Sequence, residues 1–167
     1  MVYLLDANVL IDSNRDYYPI QRVPEFWDWL VHLGQQGHVK IPLEVYEEIK
    51  TGTDELAEWL KDPTVEAALL FREEVEVSNV IVVTEQGYAP DLSDIEVEKI
   101  GRDPFLIAYG LVSTAERCIV TTEVSKPSAQ RANRKVPDVC DFFGVMHCNT
   151  FAFVRSMNFS TNWKSLL

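Results

Sequence analysis

Four acidic residues of the chain, Asp6, Glu48, Asp103 and Glu123, stand where an α/β fold brings side chains together. Carboxylates that converge repel one another, so such a site either raises their pKa values or binds a cation. Oxygen ligands select Mg²⁺ or Mn²⁺. Because a bound ion of this kind polarises a phosphate and lowers the pKa of a water, the predicted chemistry is phosphodiester hydrolysis.

The positions of these acids in the predicted elements support their convergence. Asp6 directly follows the apolar run Val2–Leu5, and Glu123 follows the strand-like residues 118–120 after two threonines. The carboxyl ends of parallel strands share one edge of a sheet, where such folds bind ligands. Asp103 precedes a proline at a predicted helix start. Each acid also has a structural alternative, as a turn residue, a helix cap, a strand end or part of a solvated helix face, and only their joint placement favours function.

Short β-like runs alternate with helical segments along the chain. Residues 65–88 are interpreted as mostly helix, although they contain β-branched runs. Asn8 and Asp103 are predicted to cap the helices that they precede. The expected elements are strands at residues 2–5, 39–41, 117–121 and 145–146, and helices after Asn8, at 24–34, 42–49, 56–60 and 103–111, and from 149 onward. This order predicts one α/β domain over residues 1–167, with a mostly parallel sheet.

The net charge of the chain is −11, which opposes binding to a phosphate backbone. One segment, residues 124–135, nevertheless contains four basic residues and no acidic one: Lys126, Arg131, Arg134 and Lys135. We call this segment the basic loop. It is either a solvated, mobile loop or a surface that binds the phosphates of a substrate, and its place directly after Glu123 favours the second interpretation.

Other features of the sequence indicate no further chemistry. The N-terminus has no secretory pattern and no apolar run is long enough to span a membrane, so a cytoplasmic protein that does not bind membranes is expected. The three cysteines include no Cys-x-x-Cys pair and the three histidines are scattered. We therefore expect free thiols, and neither a disulfide framework nor a zinc site.

Four short motifs resemble those of the PIN-domain nucleases, including the VapC-like toxin ribonucleases. Residues 5–12, LDANVLID, are similar to the opening motif, and residues 41–52, IPLEVYEEIKTG, to the second, in a register that selects Glu48 over Glu47. Residues 103–108, DPFLIA, resemble the third motif. Residues 119–123, IVTTE, resemble the fourth, in which the family commonly has Thr-x-Asp, so Glu123 is a longer substitute.

The resemblance implies a PIN-like α/β/α sandwich with a short, mostly parallel central sheet. It also implies a metal-dependent endoribonuclease whose Mg²⁺ or Mn²⁺ is held by Asp6, Glu48, Asp103 and Glu123. In this interpretation Asn8 and Thr121 support the ligands without binding the ion, and the basic loop binds the RNA substrate. The toxin branch further implies an antitoxin partner and a homodimer. Whether Asp138 and Asp141 assist the metal or cap a helix stays open.

Several alternatives differ in function rather than in fold. A PIN-like module that binds a partner without cutting, or whose nuclease activity is secondary, and a structure-specific DNA nuclease both share the motifs. A haloacid-dehalogenase-type phosphatase needs a second aspartate where this chain has Asn8. A dinucleotide-binding fold needs a Gly-x-Gly-x-x-Gly run after the first strand, which is absent.

Overall fold

A computed structural model describes all residues from Met1 to Leu167 and contains one five-stranded sheet. Its strands are β1 (Val2–Leu5), β2 (Val39–Pro42), β3 (Leu70–Phe71), β4 (Arg117–Val120) and β5 (Met146–Cys148). They lie in the order β3-β2-β1-β4-β5, and every pair is parallel. Leu5 lies opposite Val120, and Val120 opposite Cys148, so β1, β4 and β5 end at the same edge.

Ten α-helices connect and cover the strands. The two helices that end at Asp12 and Val82 continue into π-helical turns at Ser13–Tyr17 and Val83–Tyr88. Short 3₁₀ turns lie at Arg131–Asn133 and Trp163–Leu166. The helices are α1 (Ala7–Asp12), α2 (Pro24–Gln35), α3 (Leu43–Lys50), α4 (Glu55–Leu60), α5 (Pro63–Leu69), α6 (Val77–Val82), α7 (Asp94–Ile100), α8 (Asp103–Leu111), α9 (Val136–Phe143) and α10 (Thr150–Ser156).

The helices form two layers because alternate side chains of each strand point to opposite faces of the sheet. Leu5 and Val120 join one apolar cluster, which packs against α1 to α5 and α10. Leu4 and Ile119 join a second cluster, which packs against the Val83–Tyr88 turn and α7 to α9. The predicted α/β/α sandwich is therefore confirmed, and its short sheet is wholly parallel.

Residues 65–88 are mostly helical, as expected, but the middle of that segment contains a strand that was not expected. The chain leaves α5 at Leu69, and Leu70 adopts extended backbone angles. Leu70 then pairs with Ile41 of β2, which makes β3 the edge strand on that side of the sheet. A strand of two residues is too short to show the alternation by which strands are recognised in a sequence.

Two expected helix caps are also wrong. Asp6, and not Asn8, precedes α1, while Asn8 is an exposed residue inside that helix. Asp103 is the first residue of α8, after Arg102 in the cap position, and no side chain caps that helix. The carboxylate of Asp103 instead faces the cavity that it shares with Glu123.

Two further expectations concern cysteines and membranes. Cys118, Cys140 and Cys148 are free thiols, as expected, and the first two are buried. None of the helices combines the length and the apolar character that crossing a bilayer requires.

Candidate active site

Asp6 lies at the carboxyl end of β1, where only 6% of its surface is exposed. Its backbone N–H donates to Val120 O over 3.0 Å, which extends the pairing of β1 with β4 by one residue. Burial, and then the charge of Glu123, raise the pKa of Asp6 to about 6, against the opposing effect of a hydrogen bond from Thr121. The fold thus holds a carboxyl group in a place that disfavours its charge.

Thr121 is a buried residue that links the two acids at the ends of β1 and β4. Its hydroxyl donates to Asp6 Oδ2 over 2.7 Å and accepts from the Glu123 backbone N–H over 3.2 Å. Its own backbone N–H donates to Cys148 O at the end of β5. Thr121 therefore fixes the rotamer of Asp6 and the start of the segment that carries Glu123. The Asn8 side chain makes no such contact, and only its backbone N–H affects Asp6, by lowering its pKa.

Asp103 faces the same acids from the first turn of α8. Burial, followed by the negative charges of Asp6, Glu123 and Glu48, raises the pKa of Asp103 to about 8. The ammonium of Lys135 only partly opposes this rise. Residues that are more than a hundred positions apart in the chain thus act on one carboxyl group.

Glu123 is already engaged by the start of α9. Its Oε1 accepts from Lys135 Nζ over 2.9 Å, and its Oε2 accepts from the backbone N–H of Val136 over 2.7 Å. The side chain is 22% exposed. Glu123 is therefore near the other acids, but both of its oxygens have partners inside the protein.

Glu48 lies on α3 and is the most open of the four acids. Its side chain is exposed and makes no hydrogen bond or ion pair, yet its charge contributes to the raised pKa of Asp103. Glu47 is also exposed and has no such effect on Asp103. The motif alignment selects Glu48 over Glu47, and of these two glutamates only Glu48 affects the pKa of Asp103.

The donor set has the chemistry of a site for a hard divalent cation, since it consists of carboxylate oxygens with few positive neighbours. However, the chain has no group of three His, Cys, Asp or Glu side chains arranged closely enough to hold a metal ion. Asp6 and Asp103 point inward, Glu48 is exposed, and Glu123 is held by Lys135 and Val136. The residues fit the ion by their type, but as they lie in this fold they do not form a coordination shell.

A cavity of about 650 Å³ adjoins Asp103 and Glu123 on the side of the basic loop. All four predicted substrate-binding residues line it, together with Lys99. Lys126 is exposed and its ammonium has no partner within the chain, because only its backbone N–H is used, in a bond to Asp138. Positive side chains thus reach the acidic cluster from one side.

The two arginines of the basic loop are used inside the fold. Arg131 forms ion pairs with Asp91 and Glu96 over 2.7 and 2.8 Å, in a backbone conformation with φ of 54° that only a few non-glycine residues adopt. Arg134 donates to the carbonyl oxygens of Gly87 and Asp138. The expectation that all four basic residues are available to a substrate is therefore wrong for these two, because they anchor the loop.

Asp138 and Asp141 lie within α9 and cap no helix. Asp138 accepts from the Ser125 hydroxyl and from the Lys126 backbone N–H, which fastens the basic loop to the helix that follows it. Asp141 is exposed and contacts His147 Nε2 over 2.9 Å. Asp138 thus shapes the loop, and Asp141 belongs to a surface pair.

Two features of the site have no signal in the sequence. Lys135 was expected to contact substrate, but it is the counter-ion of Glu123. Tyr88 ends a π-helical turn, and its buried hydroxyl has no hydrogen-bond partner. Burial, then the charges of Asp103 and Glu123, raise the pKa of Tyr88 far above its usual value. Neither the ion pair of Lys135 with Glu123 nor the proximity of Tyr88 to Asp103 and Glu123 follows from sequence spacing, because each brings together residues of different segments.

The fold and the site together define an α/β protein with an acidic cluster at the carboxyl edge of a parallel sheet. The chain belongs to the DUF4411 family, described as a domain of unknown function, which it matches over residues 3–161. No curated protein and no solved structure gives a significant match to it.

The raised pKa values predict that the metal-free protein loses stability as the pH rises. The folded pKa values are about 6 for Asp6 and about 8 for Asp103, against about 4 for aspartate in an unfolded chain. Between these values the folded state binds more protons than the unfolded state, so the free energy of unfolding falls with rising pH. Asp103→Asn should flatten this fall and be more stable than wild type at pH 8, by up to about 5 kcal/mol for a rise of the pKa from about 4 to about 8.

Urea unfolding in the presence of a chelator, at pH 5 and pH 8, measures this effect. At pH 5 Asp103 is protonated in the folded state, so the variant should gain much less there. Glu98→Gln is the control, because Glu98 is exposed on α7 and should leave the pH dependence of the wild type unchanged. Parallel pH profiles for wild type and Asp103→Asn would contradict the buried acidic cluster.

Proposed function

We propose that this chain is a metal-dependent endoribonuclease that hydrolyses RNA phosphodiester bonds with Mg²⁺ or Mn²⁺. The observation that carries the proposal is the pair formed by Asp6 and Asp103. Both are held inward at the carboxyl edge of the sheet, with pKa values of about 6 and about 8, and neither forms an ion pair. Carboxyl groups perturbed in this way cluster at functional sites, and a divalent cation relieves their repulsion.

Each acid has a distinct part in the proposed site. Asp6 and Asp103 are the inner metal ligands, and Thr121 keeps Asp6 in its rotamer through the 2.7 Å hydrogen bond. Glu48 approaches from α3, and Glu123 becomes a ligand when it exchanges Lys135 for the ion. When bound, Mg²⁺ or Mn²⁺ would polarise the scissile phosphate and lower the pKa of a bound water.

RNA is the proposed substrate because the four acids stand in motifs that resemble those of PIN-domain ribonucleases, in the same order along the chain. The cavity on the basic-loop side supports a polyanionic substrate, since Lys99 and Lys126 are both exposed there. On the same resemblance we propose that the chain is a cytoplasmic toxin of a toxin–antitoxin pair, that it forms a homodimer, and that a small antitoxin protein blocks the acidic site.

Asp6→Asn and Asp103→Asn should each lower the rate of RNA cleavage by about 100-fold or more, because even residues that only support metal ligands typically contribute about 10- to 100-fold. Purified protein, labelled RNA and a divalent-ion titration measure the rate. Glu48→Gln should also be impaired, whereas Glu47→Gln is its matched control on the same helix and should cleave like wild type. Unchanged metal-dependent cleavage by Asp6→Asn would refute the proposal, and faster cleavage of DNA of the same sequence would argue against an RNA substrate.

The basic loop generates a separate prediction about RNA binding. Lys126→Ala should weaken the binding of single-stranded RNA and reduce the slope of log affinity against log salt by about 0.7, the value for one lost phosphate contact. Its thermal stability should not change, because the ammonium has no partner in the fold. Arg131→Ala should instead lower the unfolding midpoint, since it removes the ion pairs to Asp91 and Glu96.

Binding is measured in the Asp6→Asn background, so that the RNA stays intact. Lys164→Ala is the control, because Lys164 is an exposed lysine that pairs with Asp28 on another part of the surface. If Lys126→Ala had the same RNA affinity and the same salt dependence as this control, the basic loop would have only a structural role.

The toxin proposal predicts that induced expression of the chain halts growth and that Asp6→Asn does not. Co-expression of the product of the neighbouring gene should restore growth, because an antitoxin that covers the acidic site prevents cleavage. Growth curves with and without the neighbouring gene measure both effects. Normal growth of cells that contain abundant active enzyme would contradict the toxin role while leaving the nuclease activity intact.

A further inference from the structure

A second cavity, of about 630 Å³, adjoins Glu123 and the first two residues of the basic loop, and none of the four basic side chains of that loop lines it. It opens at the carboxyl ends of β4 and β5, between residues 121–125 and residues 147–152, with Tyr17 at its rim. Glu123 lines both cavities. Glu123 therefore adjoins both a cavity with basic walls and one with a different lining.

Two aromatic rings form the distinctive wall of this second cavity. Tyr17, at the end of the π-helical turn, is 47% exposed, and Phe151, in the first turn of α10, is 45% exposed. The rings meet edge to face, with centroids 5.1 Å apart and planes at 78°. Tyr17 also contacts Tyr18, which stacks on the buried Phe26. The exposed rings are thus held in place by the core.

The cavity also contains polar groups that the fold leaves unused. Thr150 is only 4% exposed, and its hydroxyl has no hydrogen-bond partner. Asn149 uses its side-chain oxygen to accept from the Ala152 backbone N–H, but its amide nitrogen makes no hydrogen bond in the chain. A buried hydroxyl without a partner is costly to a fold, and a polar group of a ligand bound in the cavity would satisfy it.

A flat apolar surface beside hydrogen-bonding groups matches the chemistry of a nucleobase. Proteins that bind single-stranded RNA splay out its bases, stack them on aromatic side chains and hydrogen-bond their edges. The phosphates of the same strand bind to basic side chains. In this chain the two kinds of surface meet at Glu123, which lines both cavities.

We propose that Tyr17 and Phe151 bind an unstacked base of single-stranded RNA, next to the phosphate that lies at the acidic cluster. The proposal rests on the proposed function for the nature of the polymer. The base stacks on the exposed rings, and Thr150 and Asn149 lie within the same cavity to contact its edge. Binding of this base sets which phosphate reaches Asp6 and Asp103.

The test uses the full chain with Asp6→Asn and a single-stranded RNA of mixed sequence that carries one 2-aminopurine at successive positions. Stacking quenches the fluorescence of this base, so one position should be quenched on binding. Replacing both rings, Tyr17→Leu with Phe151→Leu, should abolish the quenching and weaken binding by about tenfold, within the range measured for loss of base stacking. Both rings are about half exposed, so the thermal midpoint should stay near that of the parent.

Two controls separate stacking from apolar contact. The pair Tyr17→Phe with Phe151→Tyr keeps both rings and should retain the quenching and the affinity. Ile95→Ala removes another exposed apolar side chain, on α7, and should have no effect. If the double leucine variant bound and quenched the RNA like its parent, the subsite would be refuted.

The outcomes also separate this proposal from the proposed function. If the wild type cleaves RNA, Asp6→Asn does not, and RNA binding is unchanged when both rings are replaced, the nuclease proposal is supported and the base subsite is refuted. Ring-dependent quenching by a chain whose wild type cleaves no RNA would uphold the subsite and overturn the nuclease. Absence of quenching at every position would overturn the subsite.

Discussion

The hydrogen bond from Thr121 to Asp6 is the contact on which the candidate site depends. It joins the ends of β1 and β4 over 2.7 Å at a point where the regular pairing of the two strands has stopped. The same hydroxyl accepts the backbone N–H of Glu123, so one threonine orients an acid on each strand. The register of the two strands explains why Thr121 faces Asp6. Leu5 pairs with Val120, so the residues that follow them, Asp6 and Thr121, lie side by side at the end of the strands. Because side chains alternate between the two faces of a sheet, both side chains point to the same face.

Much of this arrangement can be predicted from the sequence, because it depends on local patterns. The strands β1, β2 and β4 are segments of four residues that are mostly apolar, and the acid that follows β1 is visible as a break in an apolar run. The strand β3 could not be predicted, since two residues carry no periodicity and Leu70 is extended only because β2 offers it an edge to pair with. Contacts between distant segments, such as Lys135 with Glu123 and the meeting of Tyr17 with Phe151, are set by the packing of helices on the sheet. No spacing rule within one segment specifies them.

The acidic composition of the chain has a different meaning once its basic residues are placed. A net charge of −11 opposes a polyanion in general, but the four basic residues of the basic loop surround one cavity beside the acids. Arg131 and Arg134 hold the loop through acids and carbonyl groups of its surroundings, which leaves the lysines to act on charges in the cavity. The strained backbone of Arg131, with φ of 54°, fits this role because two ion pairs hold the side chain in place.

The ammonium of Lys135 offsets part of the negative charge of the four acids in the folded chain. Its ammonium lies 2.9 Å from Glu123 and lowers the pKa of Asp103, so it acts as the cation of the cluster in the metal-free fold. Burial, and then the charges of the other carboxylates, still raise the pKa values of Asp6 and Asp103 to about 6 and about 8. A divalent ion brings twice the charge of the ammonium and binds carboxylate oxygens directly. In the proposed nuclease, entry of the ion would therefore free Lys135 from Glu123, beside the cavity proposed to bind the phosphates of the substrate.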